Sequence, residues 1–288
     1  MFRALSRAHT STPTTCFRAT RAIHARSAVR QQQEAIAPKI DSALSAFGAR
    51  IGLQSLNPAV LEQAVTHSSA EENKGNQDLV LLGKRATGLF VTEYYHSKYP
   101  NMHMEGLNKV IQSHLVYKSV SKVGTQLGLQ DVMRWDRSTV QSVALGECLY
   151  ALVGAVYKEQ GFDAAKQLVH AHILSRDLDV RPLVKFNDPK RYLSALIRKL
   201  GKEAPVSRLL SETGRHSSAP VYVIGVFSGE TKLGEGFGSS LKMAEFRACQ
   251  DALISHYGKE EKDFMLPSDA NNVDNYKPPV LGTTEAIV

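Results

Sequence analysis

Residues 76–89 read NQDLVLLGKRATGL, and this stretch decides the fold of the first part of the chain. Its apolar side chains recur at the spacing of one helical face, at Leu79, Leu82, Ala86 and Leu89. Residues 147–157, ECLYALVGAVY, form a second apolar run of helical length. No convincing β-strand pattern interrupts residues 38–180, so we expect an almost entirely helical domain over this range.

A different pattern begins near residue 188 and indicates a second, smaller domain. The pair Asp188-Pro189 is a typical start of a helix, and residues 221–227, VYVIGVF, have the β-rich composition of a strand. A turn, a Gly-rich segment and a last helix follow. The order α-β-β-β-α across residues 188–258 predicts an α+β domain with both helices on one face of an antiparallel sheet.

The two ends of the chain differ in composition from these domains. Residues 1–35 are rich in Arg, Ser, Thr and Ala, and the first carboxylate of the chain is Glu34. That composition is typical of a mitochondrial transit peptide, and a disordered basic arm is the alternative interpretation. Residues 259–288 lack periodicity and contain Pro267, Pro278 and Pro279, so we expect an extended or disordered tail.

Charge and composition exclude several classes of protein. The net charge is +7, but without the six arginines of residues 1–30 there remain 29 basic and 28 acidic side chains. Affinity for RNA would therefore come from local basic patches or from a partner assembly. No run of apolar residues is long enough to span a membrane. The three cysteines, Cys16, Cys148 and Cys249, form no zinc-binding pattern, and we expect reduced thiols.

Several segments of the helical region resemble the ribonuclease III family. Residues 76–89 resemble the family's signature helix, NERLEFLGDAVL, and residues 61–68, LEQAVTHS, resemble its motif LxxALTHxS. Residues 100–116 resemble a segment of the form P…EG.L…LV, and residues 147–157 resemble DxxEALIGAIY. These matches keep their order along the chain. The resemblance therefore implies the all-α fold of that family.

Most of the family's metal-binding carboxylates are missing at the corresponding positions of this chain. The family cleaves double-stranded RNA with two Mg²⁺ ions held by four carboxylates, and the corresponding residues are Val80, Lys84, Glu147 and Tyr150. Only Glu147 is a carboxylate, whereas Mg²⁺ needs a shell of oxygen ligands. The resemblance therefore implies a chain with no catalytic residue, no metal site, no cofactor and no enzymatic activity.

The substituted positions allow more than one interpretation. Lys84 and Glu147 are either two independent solvated charges or an ion pair in which the ammonium replaces the metal. Val80 and Tyr150 lie in apolar runs, so we expect them to pack in the core. His67 is expected to be packed and hydrogen-bonded rather than catalytic.

Residues 188–258 resemble a double-stranded-RNA-binding domain, most clearly where residues 236–245, GFGSSLKMAE, match the motif GxGxSKKxAK. Leu241 and Glu245 replace two basic residues of that motif, which should weaken the binding of free duplex RNA. The alternative is a structural module whose sheet face contacts protein. The resemblance implies RNA contacts from nine residues: Lys190, Arg191, Arg198, Lys199, Arg215, His216, Ser240, Lys242 and Arg247.

The leader and the two domains together resemble the mitochondrial large ribosomal subunit protein forty-four family. This resemblance implies a structural constituent of the large ribosomal subunit in the mitochondrial matrix, bound to ribosomal RNA and neighbouring ribosomal proteins. A second ribonuclease III-like protein is a candidate heterodimer partner, and neither a membrane nor a small-molecule substrate is expected. Two alternatives stay open: an active mitochondrial endonuclease for double-stranded RNA, and an RNA-binding assembly factor outside the ribosome.

Overall fold

The computed structural model describes residues 42–70, 75–176 and 178–279 of the chain. The predicted leader, residues 1–35, lies outside these ranges, and so does the last part of the predicted tail. Within the described ranges, none of the helices is both long and apolar enough to cross a membrane. Cys148 and Cys249 are buried free thiols.

Two compact units divide the chain, residues 1–62 and residues 63–288. The predicted helical region is confirmed. In the described ranges it contains α1 (42–50), α2 (Pro58–Val65), α3 (Gln77–Lys98), α4 (Met104–Leu115), α5 (Tyr117–Gln126), α6 (Gln141–Gln160) and α7 (Phe162–Val169). A π-helical turn over His170–Leu174 continues α7.

The close approach of α3 and α6 forms the centre of the helical region. A Cβ atom at Gly83 would lie 1.8 Å from the carbonyl oxygen of Tyr150, and one at Gly154 would lie 2.1 Å from that of Leu79. Only glycine lets the two backbones come so near, because any side chain would overlap the facing helix. This contact fixes how the side chains on the two helices face one another.

The second domain has the predicted α-β-β-β-α order. It consists of α8 (Pro189–Lys199), β1 (Val206–Thr213), β2 (Val221–Ser228), β3 (Thr231–Gly238) and α9 (Leu241–Tyr257). The strands form one antiparallel sheet in the order β1-β2-β3. Ile224 and Val226 of β2 pack in one buried cluster with Leu193 of α8 and Leu253 of α9. Both helices therefore cover the same face of the sheet, as expected, while the domain boundaries stay predictions.

Residues 259–269, which we call the strap, follow α9 and lie against the helical region. The Tyr99 hydroxyl donates a hydrogen bond to Glu260 Oε1 at 2.5 Å. Ten residues from the start of the strap, Asp269 Oδ1 accepts one from Lys166 Nζ at 2.5 Å. The first part of the predicted tail thus forms specific contacts, although its regular structure in the described range is limited to one short 3₁₀ turn.

Candidate functional site

The four positions that the family fills with carboxylates lie on the two central helices. Val80 and Lys84 are one turn apart on α3, and Glu147 and Tyr150 are one turn apart on α6. Tyr150 is fully buried, and its hydroxyl donates a hydrogen bond to the carbonyl of Leu115 at 2.7 Å. Val80 is half-buried and Lys84 is exposed. Tyr150 therefore packs in the core, as expected, whereas Val80 is only partly in the core.

The carboxylate of Glu147 is bound by the imidazole of His67. His67 is buried, and its Nε2 lies 2.8 Å from Glu147 Oε2. The other ring nitrogen, Nδ1, accepts the backbone N–H of Ser69 at 3.1 Å. Because Nδ1 acts as an acceptor, the proton lies on Nε2, which donates it to the carboxylate. His67 is thus packed and hydrogen-bonded, and it joins the end of α2 to α6.

Lys84 contacts an aromatic ring near this carboxylate. Its Nζ lies 5.2 Å from the centre of the Tyr117 ring, a cation–π distance. The Tyr117 hydroxyl donates a long hydrogen bond of 3.4 Å to Glu147 Oε1. Tyr117 therefore links the two charged side chains. The ion pair considered from the sequence is not the arrangement found, because Glu147 pairs with His67.

The residues at these four positions do not fit the Mg²⁺ site of the ribonuclease III family. Mg²⁺ takes oxygen ligands in near-octahedral geometry. Glu147 is the sole carboxylate among the four, and His67 and Tyr117 already engage both of its oxygens. Within the described ranges, no group of three or more His, Cys, Asp and Glu side chains could hold a metal ion. No step of a metal-dependent reaction can be assigned to these side chains.

Other polar groups of the helical region are buried for structural reasons. His114 is buried and its Nε2 lies 2.6 Å from the Tyr95 hydroxyl. Burial, with a smaller effect from Arg176, lowers the pKa of His114 from 6.5 to about 4. Burial raises the pKa of the Cys148 thiol to about 12. Near neutral pH the imidazole therefore stays neutral and the thiol stays protonated.

Four of the predicted RNA-binding residues lie where α8 and α9 begin. Lys190, in the first turn of α8, donates a hydrogen bond to Glu245 Oε1 of α9 at 2.8 Å. Ser240 is the N-cap of α9, and its hydroxyl accepts a backbone N–H of the first turn at 3.3 Å. Arg191 and Lys242 are exposed. We call Lys190, Arg191, Lys242 and Glu245 the basic corner.

The remaining predicted RNA-binding residues lie away from the basic corner. Arg215 and His216 follow β1, whose first residues lie beside Glu245. An eight-residue strand is roughly 25 Å long, so these two residues are distant from the corner. Arg198 and Lys199 end α8. Arg247 turns to the other side of α9, where it donates to a carbonyl of β3 at 2.8 Å.

An exposed apolar patch accompanies Arg247. The Phe237 side chain is 65% exposed, and the Arg247 guanidinium lies 5.6 Å from the centre of its ring. Met243 and Phe246 of α9 are also exposed. Aromatic, methionine and arginine side chains are enriched at the centres of protein interfaces. Sequence reasoning did not single out this patch, because strand and helix periodicity do not show which residues meet at an edge.

Two family models match the chain. The model described as Ribonuclease-III-like matches residues 57–177. The model described as MRPL44 dsRNA-binding domain matches residues 184–280. The second match extends past α9 and includes the strap.

Curated relatives and solved structures are similar to different lengths of the chain. Large ribosomal subunit protein mL44 of Neurospora crassa is 52% identical over 107 residues, which are 37% of this chain and 24% of that relative. Ribonuclease 3 of Streptomyces coelicolor is 31% identical over 242 residues, covering 78% of this chain and 84% of that protein. The nuclease domain of ribonuclease III from Campylobacter jejuni matches with a TM-score of 0.42 at 25% identity, covering 45% of this chain and 94% of that domain.

Proposed function

Because the chain belongs to the ribonuclease III family, we propose that it is a member that does not cleave RNA and is a structural constituent of the mitochondrial large ribosomal subunit. The short segment of high identity to mL44 and the match to the MRPL44 dsRNA-binding domain support the ribosomal role. The leader composition of residues 1–35 supports import into mitochondria. The matrix is then the expected location.

The observation that carries the loss of catalysis is the environment of Glu147. Its two oxygens are engaged by His67 and Tyr117, and the Lys84 ammonium lies over the Tyr117 ring. A metal-dependent nuclease uses its cations to neutralise the charge that develops on phosphate oxygens. The arrangement here uses the carboxylate to hold the segment of His67, which follows α2, against α6. We therefore assign a structural role to the residues of this cluster.

Ribosomal RNA and neighbouring large-subunit proteins are the proposed partners. The basic corner, the pair Arg198 and Lys199, and the pair Arg215 and His216 are suited to phosphate contacts. The exposed patch at Phe237 is suited to a protein neighbour. A second ribonuclease III-like protein stays a proposed heterodimer partner for the helical region, and no small-molecule substrate is proposed.

A cleavage assay tests the catalytic part of the proposal. The purified chain should leave long duplex RNA intact in the presence of Mg²⁺ or Mn²⁺, under conditions in which a bacterial ribonuclease 3 degrades it. Robust, metal-dependent cleavage by the chain would establish the endonuclease alternative. If cleavage is seen, the Glu147→Ala variant purified in the same way identifies its source. Cleavage that persists in the variant comes from a contaminating nuclease, and cleavage that is lost comes from this cluster.

Gradient sedimentation of mitochondrial extracts tests the ribosomal part. A structural constituent should travel with the mature large subunit and remain there after a wash with salt. An assembly factor should travel with precursor particles and be absent from mature subunits. Sequencing of the N-terminus of the subunit-bound protein would also show whether residues 1–35 have been removed.

A further inference from the structure

A carboxylate lies at the centre of the basic corner of the second domain. Glu245 Oε1 accepts hydrogen bonds from Lys190 Nζ at 2.8 Å and from Ser207 Oγ at 2.7 Å. The two donors belong to α8 and β1, so one side chain of α9 links three elements. The sequence gives no sign of this contact, because Lys190 and Glu245 are 55 positions apart.

Both members of the pair are charged near neutral pH. The hydrogen bonds from Lys190 and Ser207 lower the pKa of Glu245, and the bond to Glu245 raises the pKa of Lys190. The Glu245 side chain is 27% exposed and that of Lys190 is 68% exposed. The ammonium is therefore held at the surface beside a partly covered negative charge, and the pair as a whole carries no net charge.

One further cation lies beside this neutral pair. Lys242 precedes Glu245 by three positions on α9, whereas Arg191, the residue after Lys190 on α8, points about 100° away from it around the helix. Residues three apart are neighbours on a helix surface. An RNA backbone at this pair would meet the Lys242 ammonium, but it would also meet a carboxylate and a lysine that is already paired.

We propose that Glu245 is the residue that sets the RNA affinity of the second domain. By holding Lys190, it lowers the affinity of the basic corner for free duplex RNA, so that tight binding needs further contacts supplied by an assembly. This inference rests on the proposed function, since it explains how a domain of this fold can serve one fixed RNA site. The phosphates of duplex RNA are then the ligand that competes with Glu245 for Lys190.

The pair is not needed to hold α8 against α9. Leu193 and Leu196 of α8 pack with Ala248 and Leu253 of α9 in one buried cluster. A solvent-exposed ion pair adds little to such packing. Alanine is also the best helix former, so the Glu245→Ala variant should fold.

The test compares two acidic residues of the same domain. Glu245→Ala removes the carboxylate of the basic corner. Glu235→Ala makes the same change of net charge and also removes a lysine partner, Lys232. Glu235 lies on β3 between Gly234 and Gly236, which face α9, so its side chain points to the opposite face of the sheet from the corner. Binding of the full chain to an RNA duplex of about 20 base pairs is measured by fluorescence anisotropy, since a domain of this kind spans roughly 16 base pairs.

Glu245→Ala should bind the duplex about eightfold more tightly at about 0.1 M salt, because one more phosphate is neutralised, and its salt slope should steepen by about 1. Glu235→Ala should bind like the unmodified chain. The double variant Lys190→Ala with Glu245→Ala should lose the gain, since no lysine is freed. Far-UV circular dichroism and thermal unfolding check that every variant is folded.

Two results would overturn the inference: equal affinity of Glu245→Ala and Glu235→Ala, or a double variant that binds as tightly as Glu245→Ala. The sedimentation experiment distinguishes this failure from failure of the proposed function. Tighter binding by Glu245→Ala in a chain that never sediments with the large subunit would support the role of Glu245 and refute the ribosomal role. Sedimentation with the large subunit, without any gain in RNA affinity for Glu245→Ala, would support the ribosomal role and refute the role of Glu245.

Discussion

Glu147 occupies the position on α6 at which the ribonuclease III family has a metal ligand. Its chemical environment, however, differs from that of a metal ligand. The Glu147 side chain is 24% exposed, whereas the His67 side chain that binds it is 5% exposed. A hydrogen bond to a charged acceptor contributes more to stability than one between neutral groups. The contact between His67 and Glu147 therefore stabilises the packing of the segment after α2 against α6.

Replacing His67 should destabilise the chain more than replacing its carboxylate partner. His67→Ala leaves a cavity and a carboxylate without its main donor, and we expect a loss of about 2 kcal/mol in the free energy of unfolding. Glu147→Gln should cost less than about 1 kcal/mol, since the amide oxygen still accepts the Nε2 proton. Urea denaturation measures both, with the exposed His96→Ala as the control. Equal losses for His67→Ala and His96→Ala would contradict this role.

His114 should make the chain sensitive to acid. Its pKa in the folded chain is lowered from 6.5 to about 4, so between these values the unfolded chain binds more protons than the folded one. Stability from this residue is therefore fully present above pH 6.5 and is lost as the pH falls toward 4. The shift corresponds to about 3 kcal/mol.

The free energy of unfolding, measured by urea denaturation from neutral pH to pH 4, tests this dependence. His114→Asn should be less stable at neutral pH but should show a shallower fall over this range, because one titrating group is gone. The exposed His96→Asn should keep the slope of the unmodified chain. Parallel curves for His114→Asn and the unmodified chain would show that His114 does not titrate as inferred.

At the level of helices and strands, periodicity and motif resemblance sufficed to predict the fold class. The apolar spacing of residues 76–89 and 147–157 marks α3 and α6, and the α-β-β-β-α order of the second domain follows from its strand and turn patterns. The partners of individual side chains could not be predicted in this way. The contacts of Glu147 with His67 and of Glu245 with Lys190 join residues far apart in the sequence, and only the packed elements bring them together.

The crossing of α3 and α6 depends on glycine, and two glycines of α3 should respond in opposite ways to substitution. In Gly83→Ala the new methyl group would lie 1.8 Å from the Tyr150 carbonyl oxygen, so the helices must separate. We expect a loss of more than about 3 kcal/mol. In Gly88→Ala the nearest atom is 4.0 Å away, in Leu115. That variant should gain up to about 1 kcal/mol from the higher helix propensity of alanine.

Thermal unfolding followed by circular dichroism distinguishes the two variants. The melting temperature of Gly83→Ala should fall sharply, while that of Gly88→Ala should stay level or rise. Similar melting temperatures for the two would mean that the backbones of α3 and α6 can move apart at little cost. Because both substitutions add one methyl group to the same helix, the comparison isolates the helix crossing.

For the molecule as a whole, the strap joins the second domain to the helical region. Besides the bonds of Glu260 and Asp269, the Phe264 ring packs edge-on against Tyr94 at 5.7 Å, and the Ser268 N–H donates to Glu93 at 2.5 Å. The composition of this segment favours an extended or disordered tail. Composition could not show the docking, because it depends on a carboxylate and an aromatic ring of α3 and on a lysine of α7 that are placed by the fold.

Loss of the Asp269 carboxylate should loosen the strap. Lys166 is 8% exposed and its ammonium donates to Asp269, so Asp269→Asn leaves a buried charge without its counter-ion. We expect a loss of about 2 kcal/mol in the free energy of unfolding, less than for a fully buried pair because Asp269 itself is partly exposed. Hydrogen exchange should speed up over residues 259–269, and limited proteolysis should cut there first. Asp274→Asn, an exposed change beyond the strap, should leave both unchanged. If the two variants exchange alike, the Asp269 carboxylate does not hold the strap against α7.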